Sequence, residues 1–303
     1  MSGYRPIPDP KYEKDIDRLV RYYKQAFRDT ARVLQEITNG IERQQAESLL
    51  SQIGFILKEL NADTESWCKD IIEKEFKAGQ AAAIYGLSEA KTLSDAASLA
   101  TFSMLAKDTV EALINDTYTD LLQATKNTER KVKQLVKQSV SDTMRQRAVE
   151  QLGRRSMRRE ITDRLANRGL SRTIREDAWV GIVDRAGRRW NLSTYADMVV
   201  RTKLQQAYVE GVRTECLVRG VDLAVVSSHR AKDGCRRFEG MVVSMNGTTP
   251  GYPTYSELRQ TGLIFHPNCK HTINPIRDIS MLPTRLRNKH EKAMKEAQKV
   301  LKA

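Results

Sequence analysis

The chain has 303 residues, 40% hydrophobic and 29% charged, and a formal net charge of +13. That length predicts about two domains of roughly 150 residues. The polarity excludes a membrane-embedded protein, since no stretch approaches the roughly 18 apolar residues of a span.

Residues 1–10 lack the basic-then-apolar pattern of a secretory leader, so the expectation is a chain kept in a cytosolic compartment. Pro6, Pro8 and Pro10 mark an irregular arm. Ile16, Leu19, Val20, Tyr23, Phe27, Ala31 and Leu34 then recur at three- and four-residue steps, predicting an amphipathic helix that stops at Asn39-Gly40. A second helix is expected over 41–60, and a third, capped by Asp63 or Thr64, over 64–85. Ser94 or Asp95 caps a fourth over 96–106, and a long helix follows from 108 towards 149. Residues 153–177 have a helix–turn–helix rhythm, broken at Gly169, of the kind ordinary helical hairpins show.

After Trp179 the texture changes. Residues 180–184 and 188–192 read as a hairpin around Gly187, with Trp190 as its anchor. Ser193 or Thr194 caps a helix from 195 to about 219, stopped by Gly220. Tyr195 and Thr202 share one face of it. Strands are expected at 221–228 and 241–245 and a short helix at 256–260. From Pro283 a lysine-rich helix closes the chain.

Charge is unevenly placed. Residues 1–125 carry 15 Lys and Arg against 20 Asp and Glu, whereas 126–189 carry 18 against 8. Residues 277–303 carry 8 against 3. Arg154, Arg155, Arg158, Arg159, Arg164, Arg168, Arg172 and Arg175 form the centre of this belt, and Arg-rich faces suit phosphate or acidic protein surfaces. No aromatic residue is interleaved among them, which argues against base stacking.

Four cysteines without a CxxC pair exclude a disulfide framework. Cys68 and Cys216 read as plain buried thiols. Cys235 and Cys269 sit with His229, His266 and His271 in two short segments, residues 229–235 and 266–271. Thiolate and imidazole at such spacing suit one structural zinc, held by Cys235, His266, Cys269 and His271, or by His229 in place of one of them. The same residues also suit a hydrogen-bonded core with no cofactor, in which histidines tie loops together. A nucleophilic Cys235 with His229 or His266 as base has nothing in the sequence to orient it. Arg201 is placed to brace the loops by pairing with Asp233 or Glu239.

The ordered series Trp190, residues 195–202, 220–222, 227–229, 233–235, 239–240, 252–254, 257–258, 262–263, 266–272 and Pro275 resembles the C-terminal region of the phage minor capsid protein 2 family. That family is related in pattern to the head-morphogenesis domain named from gene F of phage Mu. The resemblance implies a virion protein of a tailed-phage head, assembled in the host cytoplasm and bound to portal, major capsid or scaffold protein. Related sequences often carry a second Cys or a Trp where this chain has Arg236-Arg237-Phe238, a departure that favours hydrogen bonding over metal. Some related chains continue into an ADP-ribosyltransferase domain, for which the 27 residues after 276 are too few.

The expected fold is therefore mainly α with a small α+β C-terminal module. The expected divisions are a helical region 1–125, a basic belt 126–178, the module 179–276 and a basic helical tail 277–303. The expected function is structural, with no catalytic residues. Two alternatives stay open: a non-sequence-specific DNA-binding protein packaged with the genome, and a metal-dependent hydrolase.

Overall fold

The computed structural model describes residues 3–35, 43–150 and 180–301. The segment 153–177, with its expected helical hairpin and all eight arginines of the belt, lies outside the described residues. The described chain is mainly helical, with a small C-terminal sheet region, as the sequence predicts. In order come α1 (Glu13–Gln35), α2 (Arg43–Gly86), α3 (Leu93–Leu99) and α4 (Met104–Glu150). They are followed by β1 (Val180–Val183), β2 (Arg189–Asn191), α5 (Leu192–Val218) and β3 (Leu223–Val226). The chain continues through β4 (Val242–Ser244), α6 (Tyr255–Gln260), β5 (Ile273–Ile276) and α7 (Thr284–Leu301).

It divides into two compact units, each assembled from separate stretches of sequence. One comprises Lys14–Cys68 and Asp116–Val199. Its core is the apolar stripe of α1, with Ile16, Leu19 and Tyr23 fully buried, together with Ile53, Leu57, Leu121 and Val132. Two of the helices expected here are in fact one. α2 runs without a break through 61–64, because Thr64 is buried and turns its hydroxyl back onto the Leu60 carbonyl at 2.7 Å. A threonine bonded to its own helix cannot cap the next one. The Tyr23 hydroxyl lies 3.3 Å from the same oxygen, and the Trp67 indole donates to the Asp15 carbonyl at 3.0 Å. β1 and β2 form the expected hairpin, with Gly187 at φ +78° in its turn. Asp184 accepts from the Trp190 indole and from the Ala186 and Arg188 N–H groups, and the Trp190 bond leads in holding its carboxyl at about 2. The helix after the hairpin begins at Leu192, earlier than expected. Asn191, not Ser193 or Thr194, offers the side-chain oxygen that accepts from the Ser193 N–H at 3.0 Å.

The other unit comprises Met1–Glu13, Lys69–Asn115 and Val200–Ala303. The proline-marked arm is irregular but packed. Ile7 is buried and its N–H donates to Asn274 Oδ1 at 2.8 Å, while Arg5 donates to the Ala90 carbonyl at 2.9 Å. Thr92, rather than Ser94 or Asp95, caps α3, with Asp95 completing a reciprocal capping box. α3 ends at Leu99, and Ser103 accepts from the Ala106 N–H as α4 starts.

Within this unit α2 and α5 cross at a pair of glycines. A Cβ on Gly79 would fall on the Tyr208 carbonyl oxygen, and a Cβ on Gly211 on the Phe76 carbonyl oxygen. Only glycine lets the two backbones approach so closely.

The sheet has the order β4-β3-β5, antiparallel throughout. β5 was not expected, because Pro275 within it cannot donate to a ladder; it survives as an edge strand, where proline is tolerated. One face packs Ala224, Val226, Val243 and Ile273 against Tyr208, Val212 and Cys216 of α5. The other buries Leu223, Val225, Val242 and Ile276 with Leu282. α7 carries the lysines of the expected tail, yet Ala293 and Ala297 lie in the core and His290 Nδ1 accepts the Val242 N–H at 3.0 Å.

Gly79→Ala and Gly211→Ala are each expected to lower the unfolding free energy by about 1–3 kcal/mol, as overpacking at a closed contact does. Urea titration followed by circular dichroism checks this; an unchanged midpoint for both would mean the crossing is looser than described.

Candidate metal centre

Strand register brings the cluster together. β3 pairs Val226 with Ile273, so the loop leaving β3 at His229 lies opposite the loop that enters β5 through Cys269 and His271. On its other side β3 pairs Val225 with Val242, which delivers Glu239 and the short 3-10 turn Gly234–Phe238 to the same end. Asp233 caps that turn, accepting from the Cys235 N–H, and so fixes where Cys235 points.

Four of the five expected residues form a chain of sulfur and nitrogen contacts. Cys235 Sγ lies 2.7 Å from His266 Nε2 and 3.9 Å from Cys269 Sγ. Cys269 Sγ lies 3.2 Å from His271 Nδ1. Cys235, Cys269 and His271 are all buried. The fifth, His229, is exposed and stacks at a tilt on His271, ring centres 4.2 Å apart. Cys68 and Cys216 are buried in helices, and burial pushes their thiols up, the Cys68 thiol to about 12.

Two further residues set the imidazoles. His266 Nδ1 lies 2.8 Å from the Pro267 carbonyl oxygen, which only accepts, so Nδ1 carries a proton, while Nε2 faces Cys235 at 2.7 Å and the Asp233 carboxylate at 3.6 Å. His271 Nε2 is fully buried and faces Glu239 Oε1 at 3.5 Å. Glu239 accepts from the Ala231 and His229 N–H groups and from the Ser228 hydroxyl, and Lys289 lies 3.6 Å away. Although burial pushes its carboxyl up, these hydrogen bonds and the ammonium prevail and hold it at about 2. Facing a carboxylate, His271 holds its proton on Nε2 and turns the Nδ1 lone pair to Cys269. Burial, then the neighbouring His229, drives the His271 imidazole down to about 4, so it is neutral at pH 7.

Asp233 and Glu239 hold these loops through the hydrogen bonds above. Arg201, expected to pair with Asp233 or Glu239, instead makes an ion pair with Glu13 at the end of the arm, 2.7 Å away. Thr202, noted in the sequence only for its helix face, and Gln205, which the sequence reading passed over, hold the 266–271 segment. Thr202 accepts the Asn268 N–H at 3.1 Å, in a turn where Asn268 takes φ +63°. Gln205 donates to the His271 carbonyl at 2.9 Å and accepts from the Tyr12 hydroxyl at 2.8 Å. Gln205 and Gln206 stand side by side between Leu204 and Ala207, and nothing local in the sequence singles out Gln205.

Glu239→Gln keeps the shape but sets an amide N–H₂ against groups that already donate. A loss of about 1–3 kcal/mol is expected, the cost of a buried unsatisfied polar contact. Equilibrium denaturation measures it, and a variant as stable as the parent would remove Glu239 from its bracing role.

No curated protein and no solved structure matches the chain significantly. The family model for phage minor capsid protein 2 matches residues 22–303, which takes the likeness well beyond the C-terminal module into the helical half. The chain belongs to the phage minor capsid protein 2 family.

Proposed function

We propose that the protein is a non-enzymatic component of the phage head that works by protein–protein contact, binding portal, major capsid or scaffold protein during assembly and staying in the virion. Family membership supports the structural role. The observation that carries the contact reading is an apolar surface on the unit that holds the sheet. Over the 13 residues from the start of α3 into α4, Leu93, Leu99, Met104 and Leu105 are 41–72% exposed. Large apolar side chains gathered on one short stretch mark a docking surface. The stretch is also pre-formed: the capping box fixes α3, and Gln80 donates to the Thr101 carbonyl at 3.1 Å. Burying one such side chain against a partner contributes about 1.5–3 kcal/mol.

The joint change Leu99→Ser with Met104→Ser is expected to leave the fold intact, because both side chains are solvated. It should weaken co-sedimentation of the chain with assembled heads by about tenfold or more. Incorporation of the double variant at the parental level would overturn the contact reading.

A second reading, contact with packaged DNA, draws on a different feature. A cleft of about 670 Å³ between α7 and the 234–238 turn is lined by Arg230, Arg236, Arg237, Arg285, Lys289 and Lys292, against Asp233, Glu239 and Glu296. Six cations facing three carboxylates suit a polyanion. Filter binding of non-specific duplex DNA would then weaken steeply as salt rises, and Arg236→Glu with Arg237→Glu would flatten the slope. Retention of no DNA at low salt would leave protein contact as the sole reading.

A further inference from the structure

We propose that Cys235, His266, Cys269 and His271 hold one zinc ion, closed to solvent chemistry and structural in role. The inference goes beyond the proposed function, since a head component can use its docking surface whether or not its module carries metal.

The donor set is the first argument. Two thiols and two imidazoles are a common tetrahedral complement for zinc, with Zn–S near 2.3 Å and Zn–N near 2.0–2.1 Å. Bonds of those lengths give S···S edges of about 3.8 Å and S···N edges of about 3.5 Å. The Cys235–Cys269 separation of 3.9 Å already matches, and the Cys269–His271 Nδ1 separation of 3.2 Å is close. The Cys235–His266 contact of 2.7 Å must open by about 0.8 Å. His266 is partly exposed, held by the Pro267 carbonyl and a 3.6 Å contact with the exposed Asp233 carboxylate, so it is the ligand best able to move.

Ring orientation is the second. Both imidazoles are held by their far nitrogen, His266 on the Pro267 carbonyl and His271 towards Glu239, which turns the other nitrogen of each ring to a sulfur. A carboxylate behind a ligating histidine is a recurrent outer partner of zinc sites, orienting the ring and raising its basicity.

The paired sulfurs are the third. Cys235 and Cys269 are both buried and face each other at 3.9 Å, and a divalent ion that displaces their protons would neutralise the pair it creates. A small cavity lies beside His266 and Cys269, lined also by Thr202 and Gln205.

Cys235, Cys269 and His271 lie within ligand distance of one another as they stand, whereas His266 is within that distance of Cys235 and Asp233 and must swing towards Cys269 and His271 to complete the set. Two competing donor groups use some of the same residues. His229, Glu239 and His271 lie within ligand distance of one another, as do Asp233, Cys235 and His266. In the first, Glu239 oxygens are already occupied by three protein donors, and His229 is exposed. In the second, Asp233 Oδ1 caps the 234–238 turn and its exposed Oδ2 faces His266 at 3.6 Å, so this group offers one solvated carboxylate oxygen where the proposed site offers the buried Cys269 sulfur. With four donors the proposed site has no open position for substrate, which is why the ion is structural rather than hydrolytic.

The full chain, purified without chelator from zinc-supplemented cells, is expected to contain one zinc per molecule by elemental analysis. Replacing zinc by cobalt(II) should give the intense visible d–d bands of tetrahedral coordination and a thiolate-to-cobalt charge-transfer band. Cys235→Ser with Cys269→Ser should abolish both signals, whereas Cys68→Ser and Cys216→Ser should keep them. Because the double serine variant also perturbs a packed core, the unaltered chain supplies an independent readout. Stripping it with a chelator should expose Cys235 and Cys269 to alkylation, and added zinc should protect them again. Metal-free protein with no cobalt spectrum, full metal retention in the double variant, or a Cys235–Cys269 disulfide in freshly purified reduced protein would each overturn the site.

Discussion

The structure around the cluster depends on β3 having a neighbour on each side. Its antiparallel register with β5 and β4 sends three loops to one end of the sheet, and each loop delivers part of one polar group. The strands are only three or four residues long, too short to be stable alone. They hold because every residue of β3, β4 and β5 is buried, one face under α5 and the other under Leu282 and its neighbours. A slip of one residue in β3 would reverse both faces and carry His271 and Glu239 away from each other. Core packing and cluster geometry are thus one constraint.

α7 extends that constraint to the end of the described chain. Its charge makes it look like a solvated tail, and Lys292, Lys295 and Lys299 are indeed exposed. Its other face does different work. Ala293 and Ala297 enter the core, while His290 accepts the N–H of Val242 on edge strand β4. An unpaired edge invites another strand, and a side-chain acceptor on a covering helix closes it. Burial leads in lowering the His290 imidazole below its ordinary value, which keeps the accepting nitrogen free at neutral pH. Lys289 reaches the Ser228 hydroxyl at 2.9 Å, so the same turn of helix touches both the sheet edge and the loop that carries His229.

Local chemistry explains which parts of this were legible from sequence. The stripe of α1, the hairpin at Gly187 and the stop at Gly220 follow from periodicity and from glycine's access to positive φ, both local properties. The break expected near Thr64 failed because a threonine hydroxyl satisfies a cap and an i−4 carbonyl equally well, and only the packing of Tyr23 against it decides. β5 was hidden by Pro275, whose meaning depends on whether its strand lies at an edge. In the cluster, residue type and spacing marked the two cysteines and three histidines. They could not show that Arg201 faces Glu13, or that Gln205 and Thr202 pin the 266–271 segment, because those partners lie about 65 to 190 residues apart in sequence. The eight arginines from 154 to 175 fall outside the described residues, so their reading rests on composition alone.

A zinc cross-link would act on this module much as a disulfide acts on a small secreted domain. Cys235 and Cys269 are 34 residues apart, and closing a loop of that size removes unfolded-state entropy equivalent to about 3–4 kcal/mol. A cross-link of this kind has a use that ordinary core packing lacks. The cationic cleft and the cluster share the 234–238 turn, with Cys235 pointing inward while Arg236 and Arg237 line the cleft. Bringing cationic side chains together costs electrostatic repulsion, which the 234–238 turn resists through buried Phe238 and the Asp233 cap. An ion bonded to the residue beside those arginines would add a further anchor without occupying the surface the turn presents. The geometry of the outer face would then be set from within, by the inward residue of the same turn.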